Sequence, residues 1–380
     1  MIERIQVKPT IADIDLLVYH LSPEEREILE RIFHIRKVTG CLEHPETMHP
    51  WLQKQFGSIE AITCQDVVKI TNLVTWEGSL FNRLRASRPI DVKARLGVEA
   101  LVIDEQPDDP LNEPRKHTPE DLFGRVEGKH SITASNVAKY DALHGIVVFD
   151  HHNPLAFTRE GVADFIDTGW AWAQKAHAHE PKARYFFFMW NCLWKAGATL
   201  HHGHAQVMLS QDIHYARIEA LRRAALDYQK KYGCSYFDDL YEAHCFLNCG
   251  LEKDGVRVMA YLAPVKDKEV MLLAPGLSPA FKDTLYEVLA AFRDRMLVTS
   301  FNLGLVTPPL GPTEESWEGF PVLARVVDRG DPRASASDIG SMELYASSVI
   351  SSDPLEVARI LQEVLAGGET SGQEKQQGQP

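Results

Sequence analysis

The 380-residue chain has no apolar run near the ~20 residues that a membrane-spanning helix needs, so a role inside the bilayer is not expected. It lacks the charged-then-apolar start of a secretory leader. Cysteine is sparse and scattered: Cys41, Cys64, Cys192, Cys234, Cys245 and Cys249, with no Cys-x-x-Cys pair. This argues against a dense disulfide framework and against a zinc knuckle, and makes a reducing cytosol the simplest compartment. Positive charge is also short. The 40 Lys and Arg face 53 Asp and Glu, a formal net charge of −13. A general surface for nucleic acid or anionic membrane is therefore not expected, although a local basic pocket for a phosphorylated small molecule remains open.

What is present reads as an ordinary globular chain, 44% hydrophobic and 24% charged, long enough for two domains or one large one. Residues 1–75 read as mostly helical. The clearest start is "LSPEEREILERIF", where Ser22 can cap, Pro23 suits the first helical position and Glu25 completes a capping box. The proline-rich, charged stretch at 104–121 reads as a surface loop. "HSITASNVAK", "HGIVVFD" and "ARYFFFMWN" read as strands, and "TREGVADFIDTGWAWAQKAHA" as a helix capped by Thr158. "YARIEALRRAALDYQKKYG" is an amphipathic helix. The second half repeats the order. "VVFDHHNPLAF" at 147–157 and "MLLAPGLSPAF" at 271–281 each give an apolar strand, a Pro-containing turn, Ala-Phe and a helix. Asn191 and Asn302 each follow a strand-like stretch, which suggests a duplicated fold whose second copy has no histidine cluster. The polar end of the chain, 366–380, reads as a disordered tail.

The densest chemistry lies in "AGATLHHGHAQVML", residues 196–209. If this is a strand, His202, His204 and Gln206 share one face and His201 points away. Three readings stand side by side. The polar face could simply meet solvent. Two histidines at i and i+2 could bind zinc, but a structural site needs four ligands and no cysteine pair stands nearby. Or an imidazole attacks phosphorus and forms a covalent phosphoramidate, with a second His, a Gln amide, a Thr hydroxyl and glycine N–H groups to hold the phosphoryl oxygens. The small residues Gly197, Ala198, Gly203 and Ala205 would let a ligand approach the backbone.

In this arrangement Asn191 to Gln206 resembles the active-site motif of galactose-1-phosphate uridylyltransferase and its relatives, the nucleotidyltransferase branch of the histidine-triad superfamily. Asn191, Gly197, Thr199 (usually Ser), His202, His204 and Gln206 keep the spacing. "LRASRP" resembles that family's Arg-x-x-Arg-Pro element at Arg85, Arg88 and Pro89. "ITASNVAKYDALHGIVVFDHHNPL" resembles its strand pair, with Asn136 in the place of a nucleotide-contacting Asn and His152 in that of a strand-end His. "LDYQKKYGCSYFDDLYE" resembles the segment after the motif.

The resemblance implies an α+β fold: two tandem HIT-like halves, at 76–245 (catalytic) and 246–365 (degenerate), with antiparallel sheets flanked by helices behind the N-terminal helical segment. It implies that His204 is the nucleophile, that Gln206 donates to phosphoryl oxygens, and that His202 orients the site or binds metal. Asn191, Gly197, Thr199 and Asn136 would contact the substrate, and Arg85 and Arg88 would supply positive charge. The activity implied is transfer of a nucleoside monophosphate from a nucleotide sugar or dinucleoside polyphosphate to phosphate or a sugar phosphate. A nucleotide hydrolase and a non-catalytic nucleotide-binding protein are the alternatives. Gln206 weighs against hydrolysis, because it cannot serve as acid or base as a third His could. Many relatives hold a structural zinc through a Cys-x-x-Cys, the strand-end His and the first His of the motif. Here His152 and His202 are candidate ligands but the Cys-x-x-Cys is missing, so no cofactor is assigned. The family is often dimeric, which makes a homodimer an expected assembly.

Overall fold

A computed structural model describes residues 8–82, 84, 107–334 and 337–367. The arginine element at Arg85 and Arg88 and residues 368–380 of the polar tail lie outside the described residues. Among the described residues no helix is long and apolar enough to cross a membrane.

The architecture is α+β, with antiparallel sheets flanked by helices. Among the described residues thirteen strands run in chain order as β1 Phe33–Cys41, β2 Cys64–Asn72, β3 Gly78–Asn82, β4 Ser131–Ser135, β5 His144–Phe149, β6 Ala183–Asn191, β7 His204–Gln211, β8 Gly250–Lys253, β9 Val256–Ala260, β10 Val270–Ala274, β11 Phe301–Val306, β12 Val322–Asp328 and β13 Ser348–Ile350. Nine of them form one sheet in the order β4-β5-β7-β6-β11-β12-β10-β9-β8. The order is a repeat. β4-β5-β7-β6 and β9-β10-β12-β11 have the same connectivity, and each carries a long helix between its second and third strands in sequence: Arg159–His179 in the first, Pro279–Ala290 in the second. The two units meet at β6 and β11, whose antiparallel register sets Asn191 opposite Asn302. The duplication suggested by the sequence is therefore one continuous sheet.

Local chemistry explains the boundaries. Thr158 accepts from the Gly161 N–H at 3.0 Å and starts the first long helix, and Ser278 accepts from Phe281 N–H at 3.1 Å to start its counterpart. One sheet face is covered by these helices. Phe186, Phe188 and Trp190 of β6 and Ala205, Val207 and Leu209 of β7 are buried there. The approach is close: a Cβ added at Gly169 of the helix would stand 3.0 Å from Val207. Burial of the larger of these side chains stabilises each by roughly 1.5–3 kcal/mol, which sets which face turns inward. The opposite face carries the alternate residues, among them His204, Gln206 and Met208, and is the one that positions the chemistry.

The N-terminal segment holds the predicted helix Pro23–Ile32 with its Ser22–Glu25 capping box. It also holds a nine-residue strand pair, β1 and β2, which the sequence reading did not anticipate. These join β3 and the distant β13 in a second, four-stranded sheet. Cys41 and Cys64 stand opposite each other in that pair and form a disulfide. Two of the six scattered cysteines thus meet, a bond that is rare in reducing compartments. The expectation of a reducing cytosol gains no support from the fold, whereas a single bond is no dense disulfide framework.

Candidate active site

His204 opens β7. Its Nδ1–H donates to the carbonyl of His202 at 2.8 Å, which leaves Nε2 unprotonated, and among the described residues nothing bonds Nε2. Burial pushes the His204 pKa below the ordinary histidine value, so the ring is neutral near pH 7. A neutral imidazole with a fixed tautomer and a free lone pair is what nucleophilic attack needs.

His202 lies before the strand rather than in it. The single polar stripe His202–His204–Gln206 expected from strand alternation is corrected: only His204 and Gln206 share the open face of β7. The His202 ring turns toward the end of β5, with Nε2 3.0 Å from the Phe149 carbonyl and Nδ1 3.1 Å from Asn112 Oδ1. Its backbone carbonyl, not its ring, meets the nucleophile. Gly203 between them has no room for a side chain, because a Cβ there would lie 2.6 Å from the Phe149 ring and 3.0 Å from the His151 carbonyl. That close approach lets Gly203 bond both Phe149 N–H and the His152 carbonyl, tying the motif to β5.

Gln206 is held by a residue that sequence reasoning missed. His144, at the start of β5 and fully buried, lies with Nε2 2.9 Å from Gln206 Oε1. Its Nδ1 accepts from the Tyr140 N–H at 3.0 Å, so the proton must sit on Nε2 and point at the glutamine oxygen. The amide NH2 of Gln206 is thereby turned away, and it makes no hydrogen bond among the described residues. Asn136 stands beside His144, with Nδ2 3.1 Å from its Nε2, while Asn136 Oδ1 caps a turn by accepting from Ala138 N–H at 3.1 Å.

Asn191 is fixed in the same way from the second half. Asp338 pairs with Arg329 at 2.7 Å, Arg329 Nη1 donates to Asn302 Oδ1 at 2.5 Å, and Asn302 Nδ2 donates to Asn191 Oδ1 at 2.7 Å and to the Ala196 carbonyl at 2.8 Å. With its oxygen occupied, Asn191 also presents NH2. The β6–β7 ladder ends with Met189 opposite Gln206, and Asn191 lies two residues further toward the His204 end of β7. Both amides thus have their oxygens occupied and their NH2 groups left as donors. Gly197, at φ 98°, ends the intervening turn in a left-handed conformation that favours glycine, and Thr199 is exposed.

The stretch read as a surface loop folds over the site. Leu111 is buried with Ile132 and Val148, and Asn112 reaches His202. His152 packs edge-on against His202, ring centroids 5.4 Å apart. A zinc does not fit what is described. No group of three or more His, Cys, Asp or Glu side chains among the described residues is arranged to hold a metal, and both ring nitrogens of His202 already face protein oxygens.

No family model matches the chain, and no curated protein matches it significantly. Solved structures do. An ADP-glucose phosphorylase from Arabidopsis thaliana with bound ADP-glucose is similar over 77% of this chain and 96% of its own, at 18% identity and a TM-score of 0.57. A GalT-like protein from the same plant covers 68% of this chain and 93% of its own, at 16% identity and 0.55. A uridylyltransferase covers 71% and 96%, at 14% identity and 0.54. At these identities the likeness is one of fold, and it bears out the expected architecture: the chain has the histidine-triad-like fold shared by the GalT-like proteins, the uridylyltransferases and the sugar-nucleotide phosphorylases.

Proposed function

We propose that the protein is a nucleotidyltransferase or phosphorylase working through a covalent nucleotidyl-histidine at His204. The observation that carries this reading is the His204 ring itself, neutral, fixed through Nδ1–H to the His202 carbonyl and free at Nε2. In the first half-reaction the Nε2 lone pair attacks the α-phosphorus of a nucleotide sugar or dinucleoside polyphosphate. A P–N bond forms, the P–O bond to the leaving phosphate breaks, and the leaving group departs with the electron pair. The positive charge gained by the ring is spread toward the His202 carbonyl through Nδ1–H. In the second half-reaction an oxygen of phosphate or a sugar phosphate attacks the same phosphorus and His204 leaves. The NH2 groups of Gln206 and Asn191 serve the phosphoryl oxygens in both steps. His202 and His144 are positioning residues, and Arg85 and Arg88 are assigned the positive charge that the phosphates require.

Gln206 supports transfer over hydrolysis, since an amide, held at its oxygen by His144, cannot act as a general acid or base toward water. Two half-reactions give ping-pong kinetics. The reading is tested by intact-protein mass after incubation with UDP-glucose, ADP-glucose, GDP-mannose or diadenosine tetraphosphate. An acid-labile gain of one nucleoside monophosphate, absent in His204→Ala, is expected, and its mass names the base. Tight nucleotide binding without an adduct from any donor would refute the covalent mechanism.

A further inference from the structure

The far end of the β1–β2 hairpin gathers four side chains of metal-ligating type that the histidine site does not use. Cys41 closes β1, Cys64 opens β2, and the two stand opposite each other with Cα atoms 4.1 Å apart. The chain between them, residues 42–63, carries His44 and His49, so the spacing reads Cys-x2-His-x4-His-x14-Cys. The two rings meet edge to face, centroids 4.8 Å apart, with His49 Nε2 2.9 Å from His44 Nδ1. His44 Nε2 lies 3.1 Å from Oγ1 of Thr63, the residue before Cys64. The Leu42 N–H donates to the Thr63 carbonyl at 2.8 Å and carries the strand pairing one step past the cysteines.

The protons at this end can be placed. Thr63 Oγ1 donates its hydrogen to the Ile59 carbonyl at 3.1 Å, so it accepts from His44 Nε2–H. That leaves a lone pair on His44 Nδ1, and the proton between the rings belongs to His49 Nε2. An imidazole that gives one N–H to an oxygen and turns its other nitrogen to a shared point is how ligating histidines are held. In a tetrahedral site with metal–nitrogen bonds of ~2.0–2.1 Å, two ligating nitrogens stand about 3.3 Å apart, a few tenths beyond the 2.9 Å seen here. The segment also needs a staple. Of residues 42–63 only Leu52 and Ile62 are buried, and Trp51 is exposed. Two apolar side chains are too little core to hold such a segment in place.

We propose that Cys41, His44, His49 and Cys64 form a Cys2His2 zinc site in the reduced protein, and that the disulfide is the oxidised, metal-free state of the same site. Two thiolates and two imidazoles are a donor set that suits tetrahedral zinc. With the sulfurs bonded to each other only the two rings are open, and no group of three donors among the described residues is arranged to hold a metal. A dithiol reductant gives two electrons and two protons to the S–S bond and closes its own disulfide. Zn2+ then displaces both thiol protons to solvent, and the His49 proton moves to Nδ1. In reverse, a small disulfide takes the two electrons and two protons and leaves as two thiols, the Cys41–Cys64 bond forms and Zn2+ is released. The site uses neither His152 nor His202. To test it, the full chain is reduced with a phosphine, freed of it without air, and titrated with Co2+. One Co2+ per chain is expected, with the visible bands of tetrahedral cobalt and a thiolate-to-metal charge-transfer band, and Zn2+ should displace it. The chain oxidised with glutathione disulfide should show neither band. Losing the oxygen behind a ligating histidine weakens metal binding by about 10- to 100-fold, the loss expected for Thr63→Val, and losing a ligand in Cys41→Ser, Cys64→Ser, His44→Ala or His49→Ala should exceed it. His152→Ala should bind as the wild type does. Glutathione disulfide added to the Zn2+ form should release one Zn2+ per Cys41–Cys64 bond formed, read with a zinc-sensitive dye and by peptide mass. The proposal is overturned if the reduced wild-type chain binds no stoichiometric Co2+, or if the Cys41→Ser, Cys64→Ser double variant keeps the same cobalt spectrum.

Discussion

Removing His144 should disarm Gln206 without touching the nucleophile. In His144→Phe the ring stays but the proton aimed at Gln206 Oε1, now at 2.9 Å, is lost. The glutamine oxygen then lies buried with no donor, which costs about 1–3 kcal/mol. Rotation of the amide by half a turn relieves it by bringing Oε1 toward the phosphoryl oxygens, where it repels. Losing one aimed donor in the transition state is worth roughly 10- to 100-fold in rate. The assay is single-turnover formation of the nucleotidyl adduct, followed by intact mass. His144→Phe should slow it by that factor at saturating donor. His144→Gln, which keeps an N–H near the place of Nε2, should recover part of it. In a Gln206→Ala background the His144→Phe change should add almost nothing, because the two act as one unit. Equal losses for Phe and Gln, or fully additive effects with Gln206→Ala, would refute the argument.

Asn302→Ala should slow adduct formation about tenfold by freeing Asn191, and Arg329→Met should show a smaller loss in the same direction, read in the same mass assay. Because burial lowers the His204 pKa, the acid limb of adduct formation should lie below the ordinary histidine value of about 6.5, and a limb at or above that value would contradict a buried neutral nucleophile. His214 and His244 are buried neutral with pKa values pushed down to about 4 by desolvation. Their contribution to stability is complete above ~6.5 and falls as the unfolded chain takes up protons below it, by about 2 kcal/mol each between pH 7.5 and 5. Urea titrations at the two pH values should show it, with a smaller drop in His214→Phe. Gly203→Ala should cost about 1–3 kcal/mol in the same titration at pH 7.5, because the Phe149 ring it would strike is itself stacked on Phe165 at 3.7 Å.

Much of this was legible in the sequence because it is written locally. The caps at Ser22 and Thr158, the apolar run of β6 and the repeated strand–turn–helix at 147–157 and 271–281 are short-range signals, and the folded chain keeps them. The motif from Asn191 to Gln206 gave the nucleophile candidate and its amide neighbours. What escaped depends on pairing across long separations. His144 sits 62 residues before Gln206 at the start of an apolar strand, where a lone histidine carries no pattern. Only the antiparallel register of β5 on β7 would have pointed to it. Asn112 lies in a proline-rich stretch whose composition says surface, yet Leu111 anchors it under the sheet. The strand start at His204 was misplaced because alternation in the letters continues through a bend that Gly203 permits.

The small sheet carries a consequence for synthesis on the ribosome. Its outer strand β13 pairs in parallel with β3, Ser348 against Ser79 and Ile350 against Phe81. Between Asn82 and Ser348 lie 265 residues of chain. At ~5–20 residues per second, β3 waits on the order of 15–50 s after it emerges before its partner exists. Through that interval its hydrogen-bonding edge, bearing Leu80 and Phe81, is open to any passing strand. The nascent protein is thus most exposed to misassembly at its beginning, and the vulnerability ends only when nearly the last structured segment has been made.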